Sequence, residues 1–156
     1  MDLKELEECY EKYKDPVYQT ALAYLKNKSD AEDIMQETFL KRYHYRFCFP
    51  DSDQEKAWLL RVAINACKNL LKSSDRLKCV SLEETIIFEN TEEHMVTEAV
   101  MELETKYRMP IHLYYVEGYS VQEISNILNI SKSSVRTRLF RARKMLKTIL
   151  GKEFYI

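Results

Sequence analysis

Residues that break helices are scarce in this sequence. Its 156 residues include two glycines, Gly118 and Gly151, and three prolines, Pro16, Pro50 and Pro110. Tight hairpins depend on such residues, whereas the abundant Leu, Glu, Lys, Met and Ala favour helices. The sequence therefore predicts an all-α protein, built as one domain or as two small ones.

Helix-start signals divide the N-terminal half. Asp15-Pro16 fits an N-cap and first helical position, while Ser29 and Ser52, each followed three residues later by Glu, fit capping boxes. After Lys72 the helical pattern stops. We therefore predict two small helical domains, 1–72 and 92–156, joined by a linker at 73–91. The predicted helices lie near 2–14, 16–27, 30–46, 53–72, 92–105, 109–117, 121–128 and 132–149.

Charge is unevenly distributed along the chain, although the net charge is only -1. From Glu83 to Glu104 there are eight acidic residues and no Lys or Arg; from Ile124 to Lys152 there are eight basic residues and no Asp or Glu. A basic block without acids favours an anionic partner. The acidic block has two interpretations, a surface that repels DNA or meets a basic protein, and an ordinary solvated face.

The C-terminal region carries a helix-turn-helix pattern. Ser120 and Glu123 form a capping box, Asn129 suits the left-handed backbone that ends a helix, and Ser131 suits the next N-cap. In the second helix, spacings of three and four place one set on a buried face: Val135, Leu139, Ala142, Leu146 and Ile149. The opposite face carries Ser133, Thr137, Phe140, Arg141 and Lys144, flanked by Arg136 and Arg138.

Basic, hydroxyl and aromatic side chains on one helix face suit the DNA major groove. Arginine binds guanine through two hydrogen bonds, Ser and Thr bond bases or phosphates, and an apolar ring contacts the thymine methyl group. The alternative is a basic surface helix that only keeps the protein in solution.

Two further surfaces are predicted in the N-terminal half. Asp33, Gln36 and Glu37 lie within one helical turn, where they either complement the helix dipole or form a protein-docking surface. In the predicted helix 53–72, one face carries amides and cations: Asn65, Lys68, Asn69 and Lys72. This face either binds nucleic acid or is an ordinary solvated surface. Between these surfaces lie aromatic residues that form either core or a base-stacking platform: Tyr43, Tyr45, Phe47, Phe49 and Trp58.

Other function classes lack support in the sequence. The four cysteines form no C-x-x-C pair, so reduced thiols are expected in place of disulfides or a zinc site. The histidines are isolated and no glycine-rich phosphate loop occurs, so we expect neither an enzyme nor a cofactor. The start lacks a secretory signal and no apolar run is long enough to span a membrane, so we expect a cytoplasmic protein without membrane insertion.

Three segments resemble sigma-70 family RNA polymerase sigma factors of the extracytoplasmic-function group. Residues 30–39 (DAEDIMQETF) are similar to the polymerase-binding helix of sigma region 2. Residues 58–72 (WLLRVAINACKNLLK) are similar to the helix that recognises the minus-10 promoter element, and residues 121–143 (VQEISNILNISKSSVRTRLFRAR) to region 4. The segments occur in the family's order and cover most of the chain outside the linker.

The resemblance implies a factor that directs bacterial core RNA polymerase to promoters. Its region 2 is then a helical bundle on the polymerase β′ coiled coil, its region 4 a helix-turn-helix on the β flap, and an anti-sigma factor its regulator. It implies polymerase contacts at Asp33, Gln36 and Glu37 and minus-10 DNA contacts at Asn65 and Asn69, with Lys68 and Lys72 beside the DNA backbone. It implies minus-35 DNA contacts at Arg136, Thr137, Phe140 and Arg141, a set that lies on the face derived above with Ser133 and Lys144.

The sequence departs from these families at a few positions. Ser125 and Asn129 stand where helix-turn-helix proteins commonly have Ala and Gly, and Asn69 and Lys72 stand where sigma factors often have Asp and Arg. A rival interpretation is a DNA-binding regulator that uses the same C-terminal helix-turn-helix without polymerase. It leaves the N-terminal motifs unexplained.

Overall fold

A computed structural model describes residues 1–73 and 91–151, the second range with side chains from Met95 onward. Packing divides the chain into two compact units, Met1–Leu82 and Glu83–Ile156. Every regular element in the described ranges is helical. The all-α prediction with two small domains is confirmed, whereas most of the predicted linker, 73–91, lies outside the described residues and its boundaries stay a prediction.

The first unit is a bundle of three helices: α1 (Leu3–Leu25), α2 (Lys28–His44) and α3 (Ser52–Lys72). Each packs against the other two. Its interior is apolar side chains from all three: Tyr13, Val17, Ala21, Ala31, Ile34, Phe39, Leu59, Leu60, Ala63, Ile64 and Cys67. Burial of this surface holds the bundle together.

Pro16 does not start a second helix. Instead α1 continues through it, so the predicted break between 14 and 16 is wrong. Proline in a helix interior costs about 3 kcal/mol because it removes a hydrogen bond and crowds the preceding turn. Tyr13, Val17 and Ala21 are buried at an uninterrupted spacing of four across the proline. Their packing on α2 and α3 offsets that cost.

Two helix starts lie one or two residues before the predicted caps. Asn27, and not Ser29, caps α2 by accepting a 2.9 Å hydrogen bond from the Asp30 amide. Asp51, and not Ser52, caps α3 by accepting a 2.8 Å bond from Gln54 N–H. Asn and Asp cap as well as Ser, so local sequence alone did not separate the candidates.

The second unit contains α4 (Thr91–Glu102), α5 (Thr105–Ile111), a π-helix (His112–Val116), α6 (Val121–Leu128) and α7 (Lys132–Leu150). Helices α4, α5 and α6 all pack against α7. The predicted helix near 109–117 is thus divided between α5 and the π-helix. Within the part of the chain that the structure describes, no helix has the length and apolar composition of a membrane span.

Helix α7 buries one stripe of side chains. Val135, Leu139, Ala142 and Leu146 are at most 2% exposed, as predicted. Ile149 is 43% exposed, so its predicted burial is wrong. It lies in the last turn before Gly151, which ends the helix at φ 85°, and the helices packed on α7 do not cover it.

Candidate nucleic-acid interface

The turn between α6 and α7 has the predicted helix-turn-helix geometry. Ser120 and Glu123 form a reciprocal capping box, with hydrogen bonds of 3.2 and 3.1 Å. Asn129 ends α6 in the left-handed region at φ 55°, and Ser131 caps α7 by accepting a 3.0 Å bond from the Ser134 amide. A short polar side chain tolerates this backbone, so Asn replaces the usual Gly.

The outer face of α7 is free of acidic side chains and open to solvent. All six residues predicted to contact the minus-35 element are exposed: Ser133, Arg136, Thr137, Phe140, Arg141 and Lys144. Phe140 is 58% exposed, and the Lys144 ammonium lies 4.7 Å from the centre of its ring. A large apolar ring kept exposed between cations suits a major-groove surface better than a face that only aids solubility.

Arg143 belongs to a different surface. Its Nε donates a 2.7 Å hydrogen bond to the Tyr115 hydroxyl, and its guanidinium lies 5.5 and 5.6 Å from the rings of Tyr114 and Tyr115. These contacts tie α7 to the π-helix. Sequence reasoning missed them, because spacing along one helix does not reveal a partner 28 residues away.

On α2, the residues predicted to bind polymerase lie on the exposed side of the helix. Asp33, Gln36 and Glu37 are all exposed, next to Leu40, which is 59% exposed. Glu37 pairs with Lys41 at 3.0 Å, an exposed ion pair that contributes little to stability. The structure thus places the three residues on one accessible surface, and its role in protein docking stays a prediction.

The predicted minus-10 residues lie on the outer face of α3. Asn65, Asn69 and Lys72 are exposed, and Lys68 is half-buried. No acidic residue occurs from Lys56 to Lys72, so the face keeps its positive charge. Amides and cations thus lie on one side of the helix, and their contact with the minus-10 element stays a prediction.

The aromatic residues between α2 and α3 form one cluster that is neither fully core nor fully exposed. Tyr45, Phe49 and Trp58 are half-buried, with ring centres between 4.6 and 5.6 Å apart. Phe47 packs 5.5 Å from Tyr45 and is 70% exposed. An open cleft of about 240 Å³ lies beside them. The rings are thus partly buried and partly exposed, and their role in base stacking stays a prediction.

A part-buried ion pair beside this cluster was missed by sequence reasoning. Arg42 Nε and Nη2 donate to one carboxylate oxygen of Glu55 at 2.9 and 2.8 Å. The available signal was the position of Arg42 on the buried stripe of α2, after Ile34 and Thr38. A cation on an apolar face needs an acidic partner.

The described cysteines are separate thiols. Cys9 and Cys67 are buried and Cys48 is exposed. Burial, with smaller contributions from Glu37 and Asp30, raises the pKa of Cys67 to about 12. Burial and then Glu55 raise the pKa of Cys9 to about 11. In the described ranges, no three His, Cys, Asp or Glu side chains are grouped to hold a metal ion.

Comparison with known proteins identifies the family. Residues 9–77 match Sigma-70 region 2, and residues 93–146 match Sigma-70, region 4. SigM, an ECF RNA polymerase sigma factor of Bacillus subtilis strain 168, is 31% identical over 94% of this chain and 96% of its own length. The chain belongs to the ECF group of RNA polymerase sigma factors. As a sigma factor it is a DNA-binding protein that directs RNA polymerase to promoters in transcription initiation.

Solved structures share the fold of this sigma factor. The sigma factor RpoE, in complex with the anti-sigma factor NepR from Bartonella quintana, superposes with a TM-score of 0.81 at 20% identity, covering 97% of this chain and 100% of RpoE. CnrH, in complex with the cytosolic domain of CnrY, gives a TM-score of 0.68 at 21% identity, covering 98% of this chain and 92% of CnrH.

Proposed function

We propose that this sigma factor recognises two promoter elements, one with each unit, while an anti-sigma protein controls its access to polymerase. The observation that carries the proposal is the outer face of α7. Arg141, Thr137 and the exposed ring of Phe140 lie together there without any acidic neighbour on the helix. Region 4 docks this face in the major groove of the minus-35 element, with Ser133 and Lys144 on the same face and Arg136 at its flank.

Region 2 binds the minus-10 element as the strands separate. The amides of Asn65 and Asn69 contact bases, and the ammonium groups of Lys68 and Lys72 contact the backbone. An extruded base stacks on the aromatic cluster between α2 and α3. Unstacking a base costs a few kcal/mol, and each stack on an aromatic ring returns about 1–3 kcal/mol.

Polymerase binding is assigned to α2. Asp33, Gln36 and Glu37 meet the β′ coiled coil, and Leu40 supplies apolar contact at the edge of that surface. Region 4 contacts the β flap. These polymerase partners follow from family membership. So does regulation by an anti-sigma factor of the kind bound to RpoE. The factor acts in the cytoplasm, where core polymerase works.

Retention of core polymerase on the immobilised factor tests this assignment. The double substitution Asp33→Ala with Gln36→Ala is expected to abolish co-elution of the core enzyme, because both side chains are exposed and neither supports the bundle. The matched control is Glu7→Ala with Glu8→Ala on the exposed side of α1. If the factor binds promoter DNA but never retains polymerase, it is instead a helix-turn-helix regulator.

A further inference from the structure

The loop between α2 and α3 is fixed at both ends. At the α2 end, the Arg42 guanidinium donates twice to Glu55 in the first turn of α3, and the Arg42 side chain is 8% exposed. At the α3 end, the Tyr13 hydroxyl of α1 donates a 3.0 Å hydrogen bond to the Ser52 carbonyl. The two anchors join all three helices of the bundle around residues 45–51.

The same guanidinium also supports an aromatic ring of the loop. Its central carbon lies 4.9 Å from the centre of the Phe49 ring. Phe49 stacks on Tyr45 at an interplanar angle of 18°, and both rings pack on Trp58. Arg42 thus links the Glu55 carboxylate, to which it donates hydrogen bonds, with the Phe49 ring, against which it packs.

An apolar pair would be enough to pack α2 against α3 at the position of Arg42 and Glu55. The Arg42 side chain is buried and Glu55 is half-buried, at 8% and 19% exposure, so the pair carries a desolvation cost that an apolar pair in the same place avoids. A guanidinium differs from an apolar side chain, and from lysine, in combining several directed donors with a flat face that stacks on aromatic rings. The arrangement therefore suits a requirement for orientation more than one for stability.

We propose that Arg42 and Glu55 are positioning residues that hold the aromatic loop ready for single-stranded promoter DNA. The inference rests on the proposed function, in which this cluster receives an unpaired base. Fixing the Tyr45, Phe49 and Trp58 rings before binding lowers the entropy lost on binding. The exposed middle of the loop, Arg46 to Cys48, is left to contact the strand.

Trp58 reports on this arrangement, because it is the only tryptophan of the chain. Arg42→Lys keeps the charge but removes the flat face and leaves one nitrogen atom where two donate to Glu55. We expect greater acrylamide quenching of Trp58 in the free full-length factor, where no tryptophan of the polymerase contributes to the signal. Binding of a fluorescent single-stranded minus-10 oligonucleotide is expected to weaken roughly tenfold, the size of one lost base stack. Binding to core polymerase is expected to stay unchanged.

Two control variants separate positioning from folding. Arg46→Lys makes the same substitution at an exposed arginine of the loop, and it is expected to leave Trp58 quenching unchanged. Ile64→Val, in the core of the same bundle, provides a variant of reduced thermal stability. If Arg42→Lys leaves quenching and strand affinity unaltered, or if Ile64→Val reproduces both changes, the proposal is overturned.

The experiment also distinguishes failure of the proposed function. If the unmodified holoenzyme does not retain the oligonucleotide, strand capture by region 2 is wrong, and the role assigned to Arg42 and Glu55 in it is overturned as well. If the holoenzyme retains it and Arg42→Lys alone loses it together with Trp58 protection, both proposals are supported.

Discussion

Ser125 and Ile130 form a reciprocal pair of hydrogen bonds across the helix-turn-helix turn. The Ser125 hydroxyl donates to the Ile130 carbonyl at 2.6 Å, and the Ile130 amide donates back to the Ser125 carbonyl at 3.1 Å. Ser131, the next residue, caps α7. The pair therefore links the last turn of α6 to the start of the helix that carries the predicted minus-35 face.

Loss of the Ser125 hydroxyl is expected to loosen this turn. Ser125→Ala removes one part-buried hydrogen bond, so the second unit should lose about 1 kcal/mol of unfolding free energy. The exchange rates of the α6 and α7 backbone amides measure this loss in the second unit separately from the first. Ser133→Ala, at an exposed hydroxyl on α7, is the control and should leave exchange unchanged. Equal exchange in the two variants contradicts the role given to Ser125.

Asn129 gives a second test of the turn. Its φ of 55° is left-handed, which disfavours alanine by about 1 kcal/mol and suits glycine. Asn129→Ala should therefore speed amide exchange in α6, whereas Asn129→Gly should match or exceed the stability of the unmodified protein. An alanine variant as stable as the glycine variant shows that the backbone of residue 129 is not left-handed.

Arg141 is expected to contribute sequence specificity. Arg141→Ala should weaken binding to a minus-35 duplex by about 1 to 3 kcal/mol and relax the preference at one base pair. Binding is measured against a set of duplexes that differ by single base pairs. Lys147→Ala, an exposed cation in the last turn of the same helix and beyond the six predicted residues, is the matched control. Equal losses on every duplex instead make Arg141 a phosphate contact.

The raised pKa of the Cys67 thiol predicts that the protein becomes less stable in alkali. Its pKa is raised from 9.0 to about 12 in the folded state. Below pH 9 the thiol is protonated in both states, and above it the unfolded chain loses the proton first. Stability should therefore decline from pH 9 towards 12, by up to about 1.4 kcal/mol for each pH unit.

Urea unfolding of the Cys67→Ala variant isolates this contribution. The variant has a cavity and should be less stable at pH 7. Because it lacks the titrating thiol, its deficit should shrink between pH 9 and pH 10.5, whereas lysines and tyrosines affect both proteins alike. A deficit that stays constant over this range contradicts the raised pKa.

Local signals predicted the second unit better than the first. The capping box at Ser120, the turn at Asn129 and the stripe from Val135 to Leu146 depend on neighbours within a few residues, and all are confirmed. The helix break at Pro16 was wrongly predicted, because the packing that stabilises a continuous α1 comes from α2 and α3 and not from neighbouring residues in the sequence. The burial of Ile149 was wrongly predicted, because periodicity identifies one face of α7 but not how far along α7 the neighbouring helices bury that face.

Tertiary partners were the least predictable part of the candidate interface. Glu55 looked like the end of a capping box, yet its carboxylate binds Arg42 across a loop. The exposed positions of α7 followed from helical geometry alone. A helix repeat fixes which side chains share a face, whereas the pairing of two helices depends on the whole bundle.

Run-off transcription shows whether this factor selects the promoters at which polymerase initiates. Bacterial core polymerase is incubated with a promoter library, with and without this factor, and the transcripts are sequenced. We expect initiation only in its presence, from promoters that share two spaced elements, and loss of that initiation in the double variant Asp33→Ala with Gln36→Ala. If the factor binds library DNA but never changes where polymerase initiates, the assignment of its two units to polymerase and promoter is contradicted.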